Sequence, residues 1–405
     1  MPDPEPIASI ALISSNGPSL ANFRGPLIAA LVSSGVRVWA LAPDLDDRTR
    51  RALREIGAEP VDISLDRAGL RPVRDALDLI RLRKVLRRLR PDAVFGYFIK
   101  PVIYGTLAAR LAGVPRRFAL VPGLGYVFTP QAGRESFRRR ALRIAVSRLY
   151  ALAFASSERI FFHNEDDRDQ LVGAGLLPRA KTLLLAGTGV DLSRFDPGPP
   201  AAGPLRFLLI ARLLREKGVA EYAEAARLVR AANPRIEFHL VGGADPNPGA
   251  IPPAQIEQWV AAGLLVWHGH VDDVRPFLRD CCVYVLPSWR EGKPRSTQEA
   301  MASARAVITT DAPGCRETVI EGVNGFKVPV RDAPALAAAM LRFVDEPHLV
   351  ARMGAESRRL AEERFDVVEI NRRILSALGV RASPAATSAD TTPQPRSRTS
   401  LAAPC

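Results

Sequence analysis

Short apolar runs rich in Val, Ile, Leu and Phe recur along the chain, each bounded by polar or turn residues. In the first half they fall at 8–13, 36–42, 93–98, 118–121, 159–163 and 182–185. Stretches with helical spacing lie between them, at 22–33, 71–89 and 137–155. The alternation then restarts, with apolar runs at 206–211, 235–241, 264–267, 283–286 and 306–309. Short apolar strands followed by crossover helices predict a parallel sheet covered on both faces. Finding the pattern twice predicts an α/β fold of two doubly wound, Rossmann-like domains, 1–195 and 196–380. The seam is the stiff stretch Asp196, Pro197, Gly198, Pro199 and Pro200. Residues 347–378 read as one or two terminal helices closing the second domain. The tail 381–405 is rich in Ser, Thr, Pro and Ala without periodicity and is expected to be disordered. Ligands of such sheets bind beyond the carboxyl ends of the strands, so function is sought in the post-strand loops and in a cleft between the domains.

Composition narrows the class. With 405 residues, 47% of them hydrophobic and 24% charged, the chain is globular rather than mostly disordered. The longest apolar run, near 149–155, is stopped by Arg148 and by Ser156 and Ser157, short of the roughly 18 residues a spanning helix needs. Asp3 and Glu5 precede the first strand where a secretory leader would be basic, so no signal peptide is expected. Two of the four cysteines, Cys281 and Cys282, are adjacent and Cys405 ends the tail, which fits a reduced, cytoplasmic protein.

Charge adds a direction. The net +13 is uneven: residues 1–195 carry 30 Lys and Arg against 19 Asp and Glu, residues 196–405 only 26 against 24. The first half therefore suits an anionic partner: a membrane surface, a nucleic acid or a polyanionic substrate. Only six of the 56 basic residues are Lys, so a general Arg bias competes as an explanation of the total. The basic stretches 71–90 and 138–148 are interleaved with Leu, Ile, Val and Tyr. They fit either a helix lying on an anionic bilayer or a solvated face whose apolar side packs on the sheet. Nucleic acid is disfavoured, because aromatics are 6% and no RNA-binding or zinc-ligand pattern occurs.

The most informative chemistry follows the apolar run 283–286. Glu291 falls on a loop, and Gly292 and Pro294 keep that loop non-helical around Lys293. Glu299 falls in the first turns of the next helix. Two carboxylates on different elements can face one ligand from two directions, and the helix start between them suits a phosphate. Ser296 and Glu299 also fit a capping box, which would make Glu299 a structural residue. After 206–211 come Arg212 and Lys217, two cations in a post-strand loop that taken alone read as residues of a solvated turn. After the first strand, Gly17 sits in a small-residue loop that can approach a phosphate or simply turn.

The segment 287–302, with the Pro313–Gly314 and Asn324–Gly325 turns beyond it, closely resembles the nucleotide-sugar-binding half of the family 4 retaining GT-B glycosyltransferases. That family's Glu-x7-Glu pair is matched by Glu291 and Glu299. The resemblance implies that Glu291 touches the donor sugar hydroxyls and Glu299 the ribose. It implies too that Arg212 and Lys217 neutralise the pyrophosphate, with Gly292, Lys293, Pro294 and Gly17 completing the donor site. Gly17 stands alone where the family has a Gly-Gly pair. Segments 96–105 and 121–128 resemble a bacterial subgroup that extends lipid-linked oligosaccharides or builds capsular and O-antigen repeats, including N-acetylgalactosaminyltransferases. Segments 162–167 and 187–191 extend the match over nearly the whole chain. Acceptor-side candidates are then Lys100, Tyr126 and His163, although this chain lacks the His many members carry at 123–126. The implied reaction moves a hexose or N-acetylhexosamine from a UDP-linked donor to a lipid-linked or growing polysaccharide acceptor. It retains configuration by front-face attack, with no cofactor and no metal. The Asp-x-Asp pairs at 44/46 and 167/169 read as solvated turn and helix-start residues. The implied location is peripheral, on the cytoplasmic face of the inner membrane. A nucleotide-sugar 2-epimerase shares the layout and remains the rival; a nicotinamide oxidoreductase would need a Gly-x-Gly-x-x-Gly turn that neither 14–19 nor 241–244 supplies.

Overall fold

The computed structural model describes residues 6–66, 71–125, 128, 137–199, 203–245, 247 and 249–381. Tyr126 and the tail from 382 onward, with its expected disorder, lie outside the described residues. The first sheet has seven parallel strands in the order β3-β2-β1-β4-β5-β6-β7. These are β1 (Ser9–Ile13), β2 (Arg37–Ala42), β3 (Glu59–Asp62), β4 (Ala93–Tyr97), β5 (Arg116–Val121), β6 (Arg159–Phe162) and β7 (Thr182–Leu184). The helices that cover it are α1 (Gly17–Ser33), α2 (Asp47–Glu55), α3 (Pro72–Leu89), α4 (Thr106–Ala112), α5 (Phe137–Ala155) and α6 (Glu165–Gly173). Along β1, Ile10 and Leu12 enter one core and Ala11 and Ile13 the other. That is the two-residue period of a strand buried on both faces.

The second sheet has six parallel strands in the order β10-β9-β8-β11-β12-β13. They are β8 (Arg206–Ile210), β9 (Glu237–Val241), β10 (Val266–Trp267), β11 (Val283–Leu286), β12 (Ala306–Thr310) and β13 (Gly325–Val328). Its helices are α7 (Val219–Ala232), α8 (Pro253–Ala261), α9 (Arg275–Asp280), α10 (Arg295–Ala302), α11 (Ala333–Asp345) and α12 (His348–Arg364). The fully buried Arg305 donates to Cys281 O (3.3 Å) and binds the inter-domain linker to this domain through Gly198 O (2.6 Å).

Three expectations are corrected. The terminal helix α13 (Val367–Leu378) does not close the second domain: Ile370, Ile374, Leu375 and Leu378 enter the first domain's core beside Ile10 and Phe95. Its amphipathic face fits whichever apolar surface it meets, and chain order does not fix which. Helix α1 begins at Gly17 rather than near Asn22, because Asn16 caps it by accepting from Ser19 N (3.0 Å) and Pro18 suits a first turn. The strands β3 and β13 were not anticipated: β3 is short and half exposed with a Pro, and β13 begins inside the Asn-Gly turn.

Candidate active site

The carboxyl ends of β8, β9 and β11, together with the start of α10, enclose a cavity of about 420 Å³. Arg212, Lys217, Glu291, Pro294, Arg295 and Glu299 all line it, so the second domain's post-strand loops converge as the strand pattern requires. Lys217 sits in a single helical turn before α7. There Gly218 adopts φ +74, and a Cβ on it would lie 2.1 Å from Pro287 O. Only glycine permits that approach of the Lys217 loop to the segment leading to Glu291. Glu291 is held by its main chain, its N–H donating to Pro313 O (3.0 Å) in the Pro-Gly turn. Its carboxylate is ion-paired with Lys217 Nζ. Arg212 pairs with Asp245 at 2.9 Å.

Pro294 is the N-cap of α10, and Ser296 lies inside the helix, its Oγ bonded to Tyr284 OH (2.6 Å). The capping-box reading of Glu299 is thereby excluded. Glu299 instead meets Arg295 at 2.9 Å on the cavity wall, and burial pushes its carboxyl above the ordinary value against the opposing pull of Arg295. Arg295 also donates to Asn22 O of the first domain and lies over the Phe23 ring, 5.1 Å to its centroid.

A second cavity, about 320 Å³, shares Arg212, Lys217 and Glu291 with the first. Its remaining walls come from both domains: Phe98 and the 122–125 segment on one side, Trp289, Gly292 and Arg331 on the other. The domains touch closely here. A Cβ on Gly292 would fall 1.4 Å from Pro122 O. Asn164 Nδ2 donates to Gly292 O (2.7 Å), and Asp167, with no exposed surface, is ion-paired with Arg290 and accepts from Leu124 N (3.2 Å). Arg316 meets Asp166 at 3.1 Å farther along the seam. Two chambers thus join at one pair of cations and one carboxylate, the layout a group transfer between two ligands needs.

Comparisons with known proteins agree. Residues 10–164 match the family described as glycosyl transferase 4-like, and residues 204–346 match glycosyl transferases group 1. The chain is 30% identical over 353 residues to the N,N'-diacetylbacillosaminyl-diphospho-undecaprenol alpha-1,3-N-acetylgalactosaminyltransferase of Campylobacter jejuni, covering 84% of this chain and 90% of that protein. This chain belongs to the group 1, family 4-like glycosyltransferases. It is also 27% identical over 289 residues to an Escherichia coli UDP-Gal:alpha-D-GlcNAc-diphosphoundecaprenol alpha-1,3-galactosyltransferase, covering 68% of this chain and 72% of that protein. Among solved structures, a sucrose-phosphate synthase from Thermosynechococcus elongatus superposes with a TM-score of 0.73 at 19% identity, over 91% of this chain and 97% of that one. HepE from Anabaena, in complex with UDP and glucose, gives 0.72 at 18%, over 92% and 99%. These likenesses establish the GT-B fold, and the enzyme is a glycosyltransferase; the epimerase and nucleic-acid readings are not favoured.

In this glycosyltransferase the sequence-derived donor residues divide. Glu291, Glu299, Arg212, Lys217 and Pro294 share the first cavity, and Gly292 lines the second. Lys293 turns away to Glu317 (2.7 Å), and Gly17 lines neither cavity: a Cβ there would meet Pro43 O and Asp44 O, so its smallness serves packing. Lys100 does not reach an acceptor phosphate. It is buried and bound to Asp75 at 2.6 Å, while Tyr104 donates to the other carboxylate oxygen (3.1 Å). His163 is buried at the domain seam with Nε2 unpartnered, and burial with the Arg24 and Lys293 cations holds its pKa well below the usual histidine value. It is therefore neutral. The Asp-x-Asp reading needs one correction: Asp46 does cap α2, but Asp167 is the buried half of the inter-domain ion pair. Sequence reasoning missed Arg290, Asp167 and Asn164; the adjacent pattern Asn164-Glu165-Asp166-Asp167 announces a helix start, not a partner in the other domain.

Proposed function

We propose that this enzyme transfers a hexose or N-acetylhexosamine, with retention, from a UDP-sugar to a lipid-linked or growing polysaccharide acceptor. The observation that carries the reading is the junction of two chambers at Arg212, Lys217 and Glu291, with Glu299 also lining one of them. The larger chamber takes the nucleotide. Glu299 accepts from the ribose hydroxyls, the start of α10 and the two cations face the diphosphate, and Glu291 meets the sugar hydroxyls. In transfer the bond from the anomeric carbon to the β-phosphate oxygen breaks and UDP departs with the electron pair. The acceptor oxygen bonds to the same face of that carbon, and its proton passes to the departing phosphate. Arg212 and Lys217 carry the negative charge that develops, so no side-chain base is required. The similar proteins support the substrate classes: both bacterial transferases are named for diphospho-undecaprenol acceptors, and HepE was solved with UDP and with UDP-glucose.

A lipid-linked acceptor brings the enzyme to a bilayer, which we place at the cytoplasmic face of the inner membrane. Among the described residues no helix is long and apolar enough to cross a membrane. The test is incubation with UDP-sugars and a short-chain diphosphate-linked monosaccharide, following product and free UDP. Lys217→Ala and Glu299→Ala are expected to lose transfer while circular dichroism stays unchanged. Near-wild-type turnover in both variants removes the assignment, and conversion of donor without acceptor points to the epimerase.

A further inference from the structure

Helix α3 is built inside out over its first half. It buries Asp75 and Asp78, each 1% exposed, against the first domain, and turns Val73, Leu77 and Ile80 outward. These three recur at i, i+4 and i+7, one stripe of a helix, and Val73 is 78% exposed. A helix facing only water would carry the opposite arrangement. The neighbouring helices continue the surface: α3, α4 and α5 lie side by side over the same face of the sheet, with Leu86, Ala109 and Phe154 in the core beneath. Leu111 on α4 and Phe137, Ile144 and Leu152 on α5 are exposed, Phe137 by 84%. Seven of the 13 exposed large hydrophobics among the described residues stand on this one layer. Cations surround them: both acidic residues of α3 are buried, and α5 has none. No carboxylate among the described residues pairs with Lys84, Arg87, Arg88, Arg140 or Arg148.

We propose that the outer face of α3, α4 and α5 docks the enzyme on an anionic phospholipid surface. Apolar side chains ringed by unpaired cations complement acyl chains below negative headgroups, whereas an apolar protein partner would leave the cations without counter-charges. Orientation follows from topology. Crossover helices of a parallel sheet start at the strands' carboxyl edge, so Val73 and Phe137, the first turns of α3 and α5, lie on the edge where the second cavity opens. Lys100, which holds Asp75 of α3, is two residues from Phe98 in that cavity's wall. The face thus presents the acceptor chamber to the lipid, and this deepens the lipid-linked-acceptor reading, on which its biological sense rests.

The experiment is flotation of the full chain with vesicles of phosphatidylglycerol and phosphatidylethanolamine, or of phosphatidylcholine alone, using wild type and L77D/I80D. Both positions are 47% exposed, and circular dichroism and urea denaturation check that the double variant keeps the wild-type fold. Wild type is expected to float with the anionic vesicles only, and the double variant to bind about tenfold less. The variant's turnover of a water-soluble short-chain acceptor is expected to match wild type. Equal flotation of both proteins, or equal binding to neutral vesicles, overturns the proposal. So does a wild-type dimer in light scattering that L77D/I80D makes monomeric, since the face would then be an interface between copies. Vesicle binding needs no turnover, so wild type that floats but transfers nothing sinks the functional reading alone.

Discussion

At Glu299, burial and the proposed ribose contact pull in opposite directions. Its carboxyl is held above the ordinary value mainly by desolvation, with Arg295 pulling the other way. As pH falls, Glu299 therefore takes up its proton before a free glutamate would, above the reference near 4.3. The neutral acid is a poorer acceptor for ribose hydroxyls, so UDP affinity is expected to fall on acidification from above that reference. Calorimetric titration of UDP across pH reads this, and Glu299→Gln should bind weakly with a flat profile; a wild-type profile flat to pH 4 contradicts it. Unfolding does not mimic the effect. A carboxyl raised in the folded state favours the fold at acid pH, and that contribution is lost as pH rises through its folded value. Lys100 presents the reverse case, a candidate ligand that is structural. Lys100→Met leaves Asp75 buried without its cation, beside an Asp78 whose oxygens already lack hydrogen-bond partners. Removing one partner of a buried pair typically costs about 3–5 kcal/mol. Urea denaturation should show a loss of that size, while the acceptor KM of the folded fraction stays unchanged; a selective rise in that KM would restore Lys100 to the site.

Elements differ in how much of them the chain's own pattern reveals. The β11–α10 unit was readable throughout: an apolar strand, a loop kept open by Gly292 and Pro294, and a helix carrying Glu299 are local features, and the structure keeps them adjacent. The partners of that loop were not readable. Arg290 finds Asp167 across 123 residues of sequence, and Asn164 finds Gly292 O across 128. No periodicity encodes which two loops will face each other once the sheets have formed. The same holds for α13, whose apolar stripe is plain but whose host is not. Gly292 shows what such a contact demands. An alanine there would drive its Cβ into Pro122 O and the main chain of Gly123, backbone on backbone, with no flexible side chain to yield. Gly292→Ala is expected to force the two loops apart, lowering transfer by about 10²-fold through misplacement of the acceptor chamber. Each domain should keep its circular dichroism and its proteolytic resistance. Unaltered kcat in this variant would mean that the close approach is dispensable.

For the whole molecule, the division of the two cavities between the domains makes the closing contact separable from the donor binding proposed for the larger one. Nearly all the residues around the larger cavity belong to the second domain, with Phe23 the one contribution from the first. The second cavity, by contrast, exists only while the 122–125 segment stands against Trp289 and Gly292. The contact keeping it there is the Asp167–Arg290 ion pair, reinforced by Leu124 N on Asp167, Asn164 on Gly292 O and, at the seam's far end, Arg316 on Asp166. Asp167→Ala strands the Arg290 guanidinium and releases the Leu124 amide together, both nearly inaccessible to water. Loss of one half of such a pair is large enough, at about 3–5 kcal/mol, to outweigh the exposed ion pairs elsewhere along the seam. The domains should then part, since opening rehydrates the stranded cation at no expense to either core. The expected signature is a split: the Kd for UDP within about threefold of wild type, kcat toward acceptor down by about 10²-fold or more, and a larger radius of gyration by small-angle scattering. Arg290→Ala, which removes the other member and leaves Asp167 buried, should reproduce it. Equal losses of UDP affinity and turnover, with an unchanged radius, would instead place Asp167 within the donor site itself.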